Sequence, residues 1–307
     1  MNTPLAYLNG RFLPFREAAL PLHDAGFVSG ATVVDNARTF RHKLFRWADH
    51  LARFRRDCEA CYVPLEATDE QLTTIAEELV AHNAKLLPPG GELQLVTFAT
   101  PGPLGFYLGE ANNGPPTLGM NAYPLPFARY RPFFTEGATL VAIPGVGARS
   151  DAIVPPTVKQ RSRMNWYVAD HRARKVSGVP HALAVSTENG ALTETSVANL
   201  LAVVEGVVVS PPREQILDGI SLRVTKELCG KLEIAFREEP IPLSAVGVDE
   251  LMLTGTAFGL AGVSAIDGRK LNWPGPVFTK LLAAWSDLVG VDIAKQSFGP
   301  GLNRVLD

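Results

Sequence analysis

Five short segments of this chain carry residue types that do chemistry. Val158-Lys159-Gln160-Arg161-Ser162-Arg163 follows Pro155 and Pro156. Lysine forms Schiff bases with carbonyl compounds once its amine is deprotonated, and neighbouring cations such as Arg161 and Arg163 favour the neutral amine. A solvated basic cluster accounts for the same stretch. Thr193-Glu194-Thr195-Ser196-Val197-Ala198-Asn199 follows the turn Glu188-Asn189-Gly190 and opens the apolar run Leu200 to Val204. A Glu at the start of a buried strand is rarely buried without a partner, and a cationic heterocycle is one such partner. A solvated strand end is the plainer reading.

Leu217-Asp218-Gly219-Ile220-Ser221-Leu222-Arg223 places Gly and Ser at the start of an amphipathic helix. Free N–H groups and a hydroxyl there make an anion site, or simply a helix cap. Leu253-Thr254-Gly255-Thr256-Ala257 runs a strand into a glycine between two threonines, suited to phosphate or carboxylate, or to ordinary turn chemistry. His50 and Arg53 stand three apart on one helical face. Arginine suits bidentate phosphate binding, and a solvated arginine is the simpler alternative.

These segments need elements to hold them. The first half reads as α+β. Asn9-Gly10 joins Ala6–Leu8 to Arg11–Leu13 as a hairpin. A strand is predicted over Val33–Thr39, turning near Arg41-His42 into Lys43–Phe45. Helices follow over 47–62 and 69–86, with Asp69 as the expected N-cap, and then a strand over 93–98. Gly102 to Pro132 is rich in Pro, Gly and Asn and reads as loop and linker. The domain prediction is a small α+β domain at 1–123, a linker at 124–132, and a larger α/β-type domain at 133–307. In the latter, strands are expected at 138–143, 182–187, 199–204, 207–209, 233–237 and 250–254. Helices are expected at 164–177, 218–230 and 276–289.

Composition narrows the function classes. The 307 residues suit two domains, and 46% are hydrophobic. A net charge of −2 argues against nucleic acid or an anionic membrane as partner. No apolar run spans a bilayer and no secretory leader pattern opens the chain, so a cytoplasmic protein is expected. Three cysteines do not make a disulfide framework. Cys58 and Cys61 form a Cys-x-x-Cys pair on one face of a helical pattern, with no His-rich partner motif. That reads as structural rather than as redox or metal chemistry, and no metal site is expected.

Taken in order, the segments resemble the class IV aminotransferases, the fold-type IV pyridoxal-phosphate enzymes. That family includes branched-chain and D-amino-acid aminotransferases and aminodeoxychorismate lyases. The resemblance begins at Tyr7–Gly10 and Leu22-His23-Asp24-Ala25-Gly26-Phe27. It runs through Leu44-Phe45-Arg46, His50–Arg53, Lys159, Glu194…Asn199, Gly219-Ile220-Ser221-x-Arg223 and Gly255-Thr256-Ala257, and ends near Gly275-Pro276. It implies two domains with pyridoxal 5′-phosphate between them, a homodimer, and small amino-donor and 2-oxo acid substrates. It implies that Lys159 carries the cofactor, that Glu194 holds its ring nitrogen with Asn199 nearby, and that Arg53 clamps its phosphate. Gly219, the amides of Ile220 and Ser221, the Ser221 hydroxyl and Thr256 would complete the phosphate cup. The Thr256-Ala257 turn would face the substrate carboxylate.

Three positions depart from the family pattern. Val34-Asp35 stands for an aromatic-Glu pair, Gln94 for a substrate-binding Arg, and Thr195 for a Gly after the Glu. Arg38, Arg161 and Arg163 then become the candidate carboxylate partners. The expected activity is transamination. Pyruvate elimination by an aminodeoxychorismate lyase is the alternative within enzymes, and non-catalytic cofactor binding is the alternative outside them.

Overall fold

Side chains alternate across a strand, and the segment Val33–Phe40 uses both faces. In the computed structural model, which describes residues 3–244 and 247–298, this segment is the strand β3 of a six-stranded sheet. The chain forms two compact units. Unit 1 comprises Met1–Leu125 together with Val158–Ser162, and unit 2 comprises Pro126–Thr157 and Arg163–Asp307.

Unit 1 contains β1 (Leu5–Leu8), β2 (Arg11–Pro14), β3, β4 (Lys43–Leu44), β5 (Leu93–Thr100) and β6 (Thr117–Pro124), ordered β2-β1-β6-β5-β3-β4. Its helices are α1 (Ala25–Val28), α2 (Trp47–Ala60) and α3 (Asp69–Ala84). The Asn9-Gly10 turn has both residues at positive φ, as a tight hairpin requires. The β3–β4 turn does the same with Arg41 and His42, residues that resist it. The buried carboxylate of Glu92 accepts both of their amides, at 2.6 and 3.2 Å, and fixes the turn. The cap of helix α3 is Thr68, one residue before the expected Asp69. Thr68 accepts from Gln71 N, and the Gln71 side chain accepts from Thr68 N, a reciprocal capping box. Leu72, Ala76, Leu79 and Val80 of α3 pack with Leu51, Leu93, Leu95, Met120 and Ala122.

Strand β6 corrects the reading of 102–132 as loop throughout, since it lies inside the sheet between β1 and β5. Gly119 sits in β6 because the Phe98 ring lies over it. A Cβ there would come within 2.3 Å of that ring. A glycine that reads as a breaker is therefore a packing partner.

Unit 2 begins with α4 (Phe127–Thr135), followed by β7 (Ala138–Pro144), α5 (Met164–Ser177), β8 (Leu183–Glu188), β9 (Ala191–Thr195), β10 (Asn199–Val204) and β11 (Val207–Ser210). Then come α6 (Ile220–Lys231), β12 (Phe236–Glu238), β13 (Ile241–Pro242), β14 (Glu250–Gly255), β15 (Gly259–Ile266), β16 (Arg269–Lys270), α7 (Pro276–Val289) and α8 (Ile293–Gln296). The expected strand at 233–237 is shorter and later, because Glu233 turns at positive φ. Strands β9 and β15 and helix α4 had no counterpart in the sequence reading.

The strands of unit 2 close on themselves. The path β10-β14-β15-β7-β8-β9 returns to β10 through one bridge, Asn199 opposite Glu194. Leu140, Leu183, Val185, Leu192, Leu200, Leu253, Ala261 and Val263 pack together in its core. Outside it, Ala169 and Ala173 of α5 pack on Val141 and Ala184. Helix α7 begins at Gly275 because the buried Glu250 carboxylate accepts the amides of Val277 and Phe278, at 2.9 and 2.8 Å. A Cβ on Gly275 would strike that carboxylate.

Candidate active site

In unit 1 the candidate residues gather between β3 and α2. Positions 50, 53 and 57 share a helical face by the spacing of three and four. Asp35 points at that face from β3. His50 Nδ1 lies 2.7 Å from Asp35 Oδ1. Arg53 grips the same carboxylate with two donors, Nε to Oδ2 at 2.8 Å and Nη2 to Oδ1 at 3.0 Å. All three residues are buried. Burial raises the Asp35 carboxyl, but the Arg53 and His50 interactions outweigh it and hold the group well below the usual carboxylate range. Burial pushes His50 below its ordinary value, against the pull of Asp35, and the charges of Arg53 and Lys159 act in the same downward direction. Asp35 and Arg53 thus form a bidentate buried ion pair, with His50 Nδ1 facing the same carboxylate.

Lys159 belongs to this unit. Its carbonyl accepts from Val34 N at 3.0 Å, and Arg161 N donates to Thr32 O at 3.0 Å, so the segment runs beside β3. The Lys159 amide donates to Asp57 Oδ2 at 2.9 Å. Ser162 Oγ donates to Gly30 O at 2.9 Å, which ties the end of the segment to the Gly30 turn. Lys159 is half-buried and its charge bears on His50. The structure thus brings Lys159, Arg53, His50, Asp35 and Asp57 together. Asp57 is the residue that the sequence reading missed. Its spacing from His50 and Arg53 was the available signal.

Arg38 and Gln94 are cross-strand partners on β3 and β5. They follow the opposite alternation from Asp35, and so lie on the other face of the sheet. Arg38 Nε donates to Thr39 O at 3.1 Å, and its guanidinium stacks on Phe40 at 3.9 Å. Gln94 is buried and its Oε1 has no hydrogen-bond partner. Arg161 is exposed. Arg163 belongs to unit 2, at the start of α5, and donates to Ser196 O.

In unit 2 the candidates gather at the closing bridge. Glu194 Oε2 accepts from Leu217 N at 3.0 Å, and Asn199 Nδ2 donates to Leu217 O at 2.8 Å. One residue's main chain is thereby held from both sides, and the loop that enters α6 is fixed. Gly219 follows, and a Cβ there would come within 2.0 Å of Asn199 Oδ1. Helix α6 then starts with no side chain capping its N-terminus, unlike α7 with Glu250. Ile220 and Ser221 are buried at that end. The Thr225 hydroxyl donates to Ser221 O at 2.8 Å and lies 3.2 Å from Thr254 Oγ1. Thr256 and Ala257 form the turn between β14 and β15, and the backbone of Gly255 beside them packs against Val197 O. Ser196 Oγ is buried without a hydrogen-bond partner.

Taken unit by unit, the donor sets suit the parts of a phosphorylated carbonyl compound. Unit 1 offers an amine and a guanidinium. Unit 2 offers an uncapped helix N-terminus that a glycine keeps open, an orphaned buried hydroxyl, and a carboxylate. Among the described residues no cluster could hold a metal ion. Cys58, Cys61 and Cys229 are free thiols, and burial pushes Cys58 up to about 12 and Cys229 up to about 11. Such thiols are poor nucleophiles and poor metal ligands.

The family pattern described as "Amino-transferase class IV" matches residues 32–266. A Methanocaldococcus jannaschii protein named "Putative branched-chain-amino-acid aminotransferase" is 28% identical over 287 residues, covering 92% of this chain and 95% of that protein. A Staphylococcus aureus D-alanine aminotransferase is 26% identical over 273 residues, covering 87% of this chain and 90% of the relative. The Escherichia coli branched-chain amino acid aminotransferase superposes with a TM-score of 0.83 at 18% identity, covering 94% of this chain and 95% of the other. The branched-chain aminotransferase from Thermoproteus uzoniensis, solved with norvaline, superposes with a TM-score of 0.77 at 22% identity, covering 93% of this chain and 94% of the other. The fold is therefore that of the fold-type IV enzymes, and this chain belongs to the class IV aminotransferase family.

Proposed function

We propose that this transaminase works through pyridoxal 5′-phosphate bound to Lys159. The amino group passes between an amino acid or amine and a 2-oxo acid. The observation that carries the assignment is the place of Lys159 in unit 1. Its main chain is tied to β3 and α2, beside a buried Asp–His–Arg cluster.

When bound, the cofactor supplies an electron sink for the carbanion that forms at the donor's α-carbon. Each residue then has a task. Lys159 Nζ would take the donor's α-proton as general base. Arg53 binds phosphate oxygens while Asp35 holds its guanidinium in plane. In unit 2, the Ile220 and Ser221 amides, the Ser221 hydroxyl and Thr256 would bind a phosphate dianion through the end of α6. Glu194 keeps the ring nitrogen protonated, and Asn199 and Gly219 hold the loop that shapes this end. Thr256 and Ala257 also face the substrate carboxylate.

Borohydride reduction followed by peptide mapping tests this. The pyridoxyl group is expected on Lys159, and its appearance on Lys175 or Lys226 would refute the assignment. Pyruvate release without a 2-oxo acid acceptor would convert the reading to a lyase. Turnover of no amine by a cofactor-loaded protein would convert it to a binding protein.

Gln94 directs the substrate reading. A neutral amide lacks the charge and the donor fork of a guanidinium. Leucine with 2-oxoglutarate should therefore be a poor pair, with a catalytic efficiency below about 10⁴ M⁻¹s⁻¹. Arg38, Arg161 and Arg163 remain the candidate carboxylate partners. Alanine substitution at each, scored on KM, would identify which one acts.

A homodimer completes this reading. Leu22, Phe27, Phe106, Tyr107 and Leu108 of unit 1 are exposed apolar residues. The backbone bonds Ala25 N to Gly102 O and Leu104 N to His23 O hold their two segments side by side. Sedimentation should give a dimer. No helix of the described residues is long and apolar enough to cross a membrane. The free thiols suit a reducing compartment, the cytoplasm.

A further inference from the structure

We propose that Asp57 is a positioning residue for Lys159, acting through the lysine's backbone amide. The proposal rests on the reading of Lys159 as the cofactor-bearing residue. Asp57 Oδ2 accepts the Lys159 amide at 2.9 Å, and Asp57 Oδ1 accepts Arg56 Nε and Nη2 at 3.0 and 2.7 Å. Asp57 is fully buried, while the Arg56 side chain is partly exposed.

Several features make this more than a structural cap. A lysine amine rides on a four-carbon stem with free rotors, so the position of Nζ depends on how firmly the Cα is held. Val34 N fixes the Lys159 carbonyl from β3. Asp57 fixes the amide from α2, and so the Cα–Cβ direction is set from two elements. A neutral acceptor would satisfy the amide. A buried carboxylate costs more to desolvate and is stable only when charge-assisted bonds repay it. Here burial pushes the Asp57 carboxyl above its usual range, although the Lys159 amide and Arg56 pull the other way.

The position of Asp57 on α2 adds coupling. Arg53 precedes it by one helical turn and His50 by two, on the same face. A single rigid helix thus carries the guanidinium proposed for the phosphate and the acceptor that places the lysine. The distance from phosphate clamp to amine is then a property of one helix and β3, not of loops. Preorganisation of this kind acts on the reacting geometry rather than on affinity.

Amide hydrogen exchange of the apoprotein at Lys159 tests the tether directly. The wild-type amide should be protected at least about a hundredfold relative to an unstructured peptide. Asp57→Ala should speed its exchange about tenfold or more, as expected for one charge-assisted hydrogen bond. The rate of pyridoxyl trapping on Lys159 should fall several-fold, and in the loaded enzyme kcat should fall more than KM rises. Asp57→Asn keeps one acceptor oxygen without the charge and should restore part of the protection and of the trapping rate. An unprotected Lys159 amide in the wild-type protein would overturn the proposal without any variant. So would Asp57→Ala with wild-type exchange and trapping. Trapping on another lysine in the wild-type protein would instead overturn the functional reading.

Discussion

The candidate residues of the two units handle charge by different means. In unit 1 the candidate site is made of ionisable side chains on regular elements, and its buried carboxylates each have a counter-charge: Asp35 with Arg53, and Asp57 with Arg56. In unit 2 it is made largely of main-chain groups at the end of α6, held in place by Glu194 and Asn199 through the single residue Leu217. Buried side-chain charge must be neutralised where it stands. A helix end offers positive potential with no buried ion to compensate. Substitutions of the paired buried charges in unit 1 should therefore disturb folding and function together, whereas those in unit 2 should disturb mainly the ligand.

The largest effect separates function from folding inside unit 1. Lys159→Ala should lower turnover by at least the 10²–10⁴-fold typical of a general base, and further for loss of the covalent link. Its main-chain bonds to Asp57 and Val34 survive the substitution, so thermal unfolding should shift less than for loss of a member of the Asp35–Arg53 pair. A large loss of stability would show that the Lys159 side chain belongs to the charge balance of the unit.

Arg53→Ala comes next and should couple both losses. It leaves Asp35 buried without its guanidinium, and removal of one partner of a buried pair costs about 3–5 kcal/mol. Urea unfolding would measure this. Cofactor affinity of the folded fraction should fall about tenfold or more, from a bond to a charged group worth roughly 1.5–3 kcal/mol. Intact stability would show that the cluster tolerates an unpaired carboxylate, and the contrast between the units would fail.

Acid should also act through unit 1. The folded-state value of Asp35 is depressed, so its contribution is present above the ordinary value of 3.8 and is lost as pH falls through the lower folded value. His50 is depressed as well. Below its ordinary 6.5 the unfolded chain takes up a proton that the folded cluster resists, so stability falls there too. Amide protection in α2 should decline in two stages on acidification, the first below about pH 6.5 and the second below about pH 4. His50→Gln should remove the first stage.

The smallest effect belongs to unit 2. Ser221→Ala removes one hydroxyl at a helix end whose amides remain. Cofactor affinity should weaken by about 0.5–1.5 kcal/mol, the range for one neutral hydrogen bond, with no change in urea midpoint. An effect on affinity equal to that of Arg53→Ala would erase the distinction between the two modes.

The legibility of the sequence differed by element. Helices 164–177 and 276–289 appear with the expected ends, because apolar spacing and flanking Gly or Pro mark them locally. The Asn9-Gly10 hairpin was visible for the same reason. Strand β6 was hidden by its Gly and Pro, which a Phe98 ring and a strand end explain only in three dimensions. Strand β15 was hidden by Gly259 and Gly262. A Cβ on Gly262 would meet the Trp273 ring at 2.6 Å.

The sequence by itself determined the candidates for chemistry and the family, because residue types and their order survive without coordinates. It placed His50 and Arg53 on one face, since helical spacing is local. It did not reveal that Asp35 is their shared partner, nor that Asp57 holds the Lys159 amide across 102 positions of chain. Nor did it show that Glu194 and Asn199 close a ring of strands while gripping Leu217. Most of those relations join residues on separate elements, and tertiary packing selects them. A carboxylate taken out of water must find donors, and the tertiary structure decides which donors are in reach.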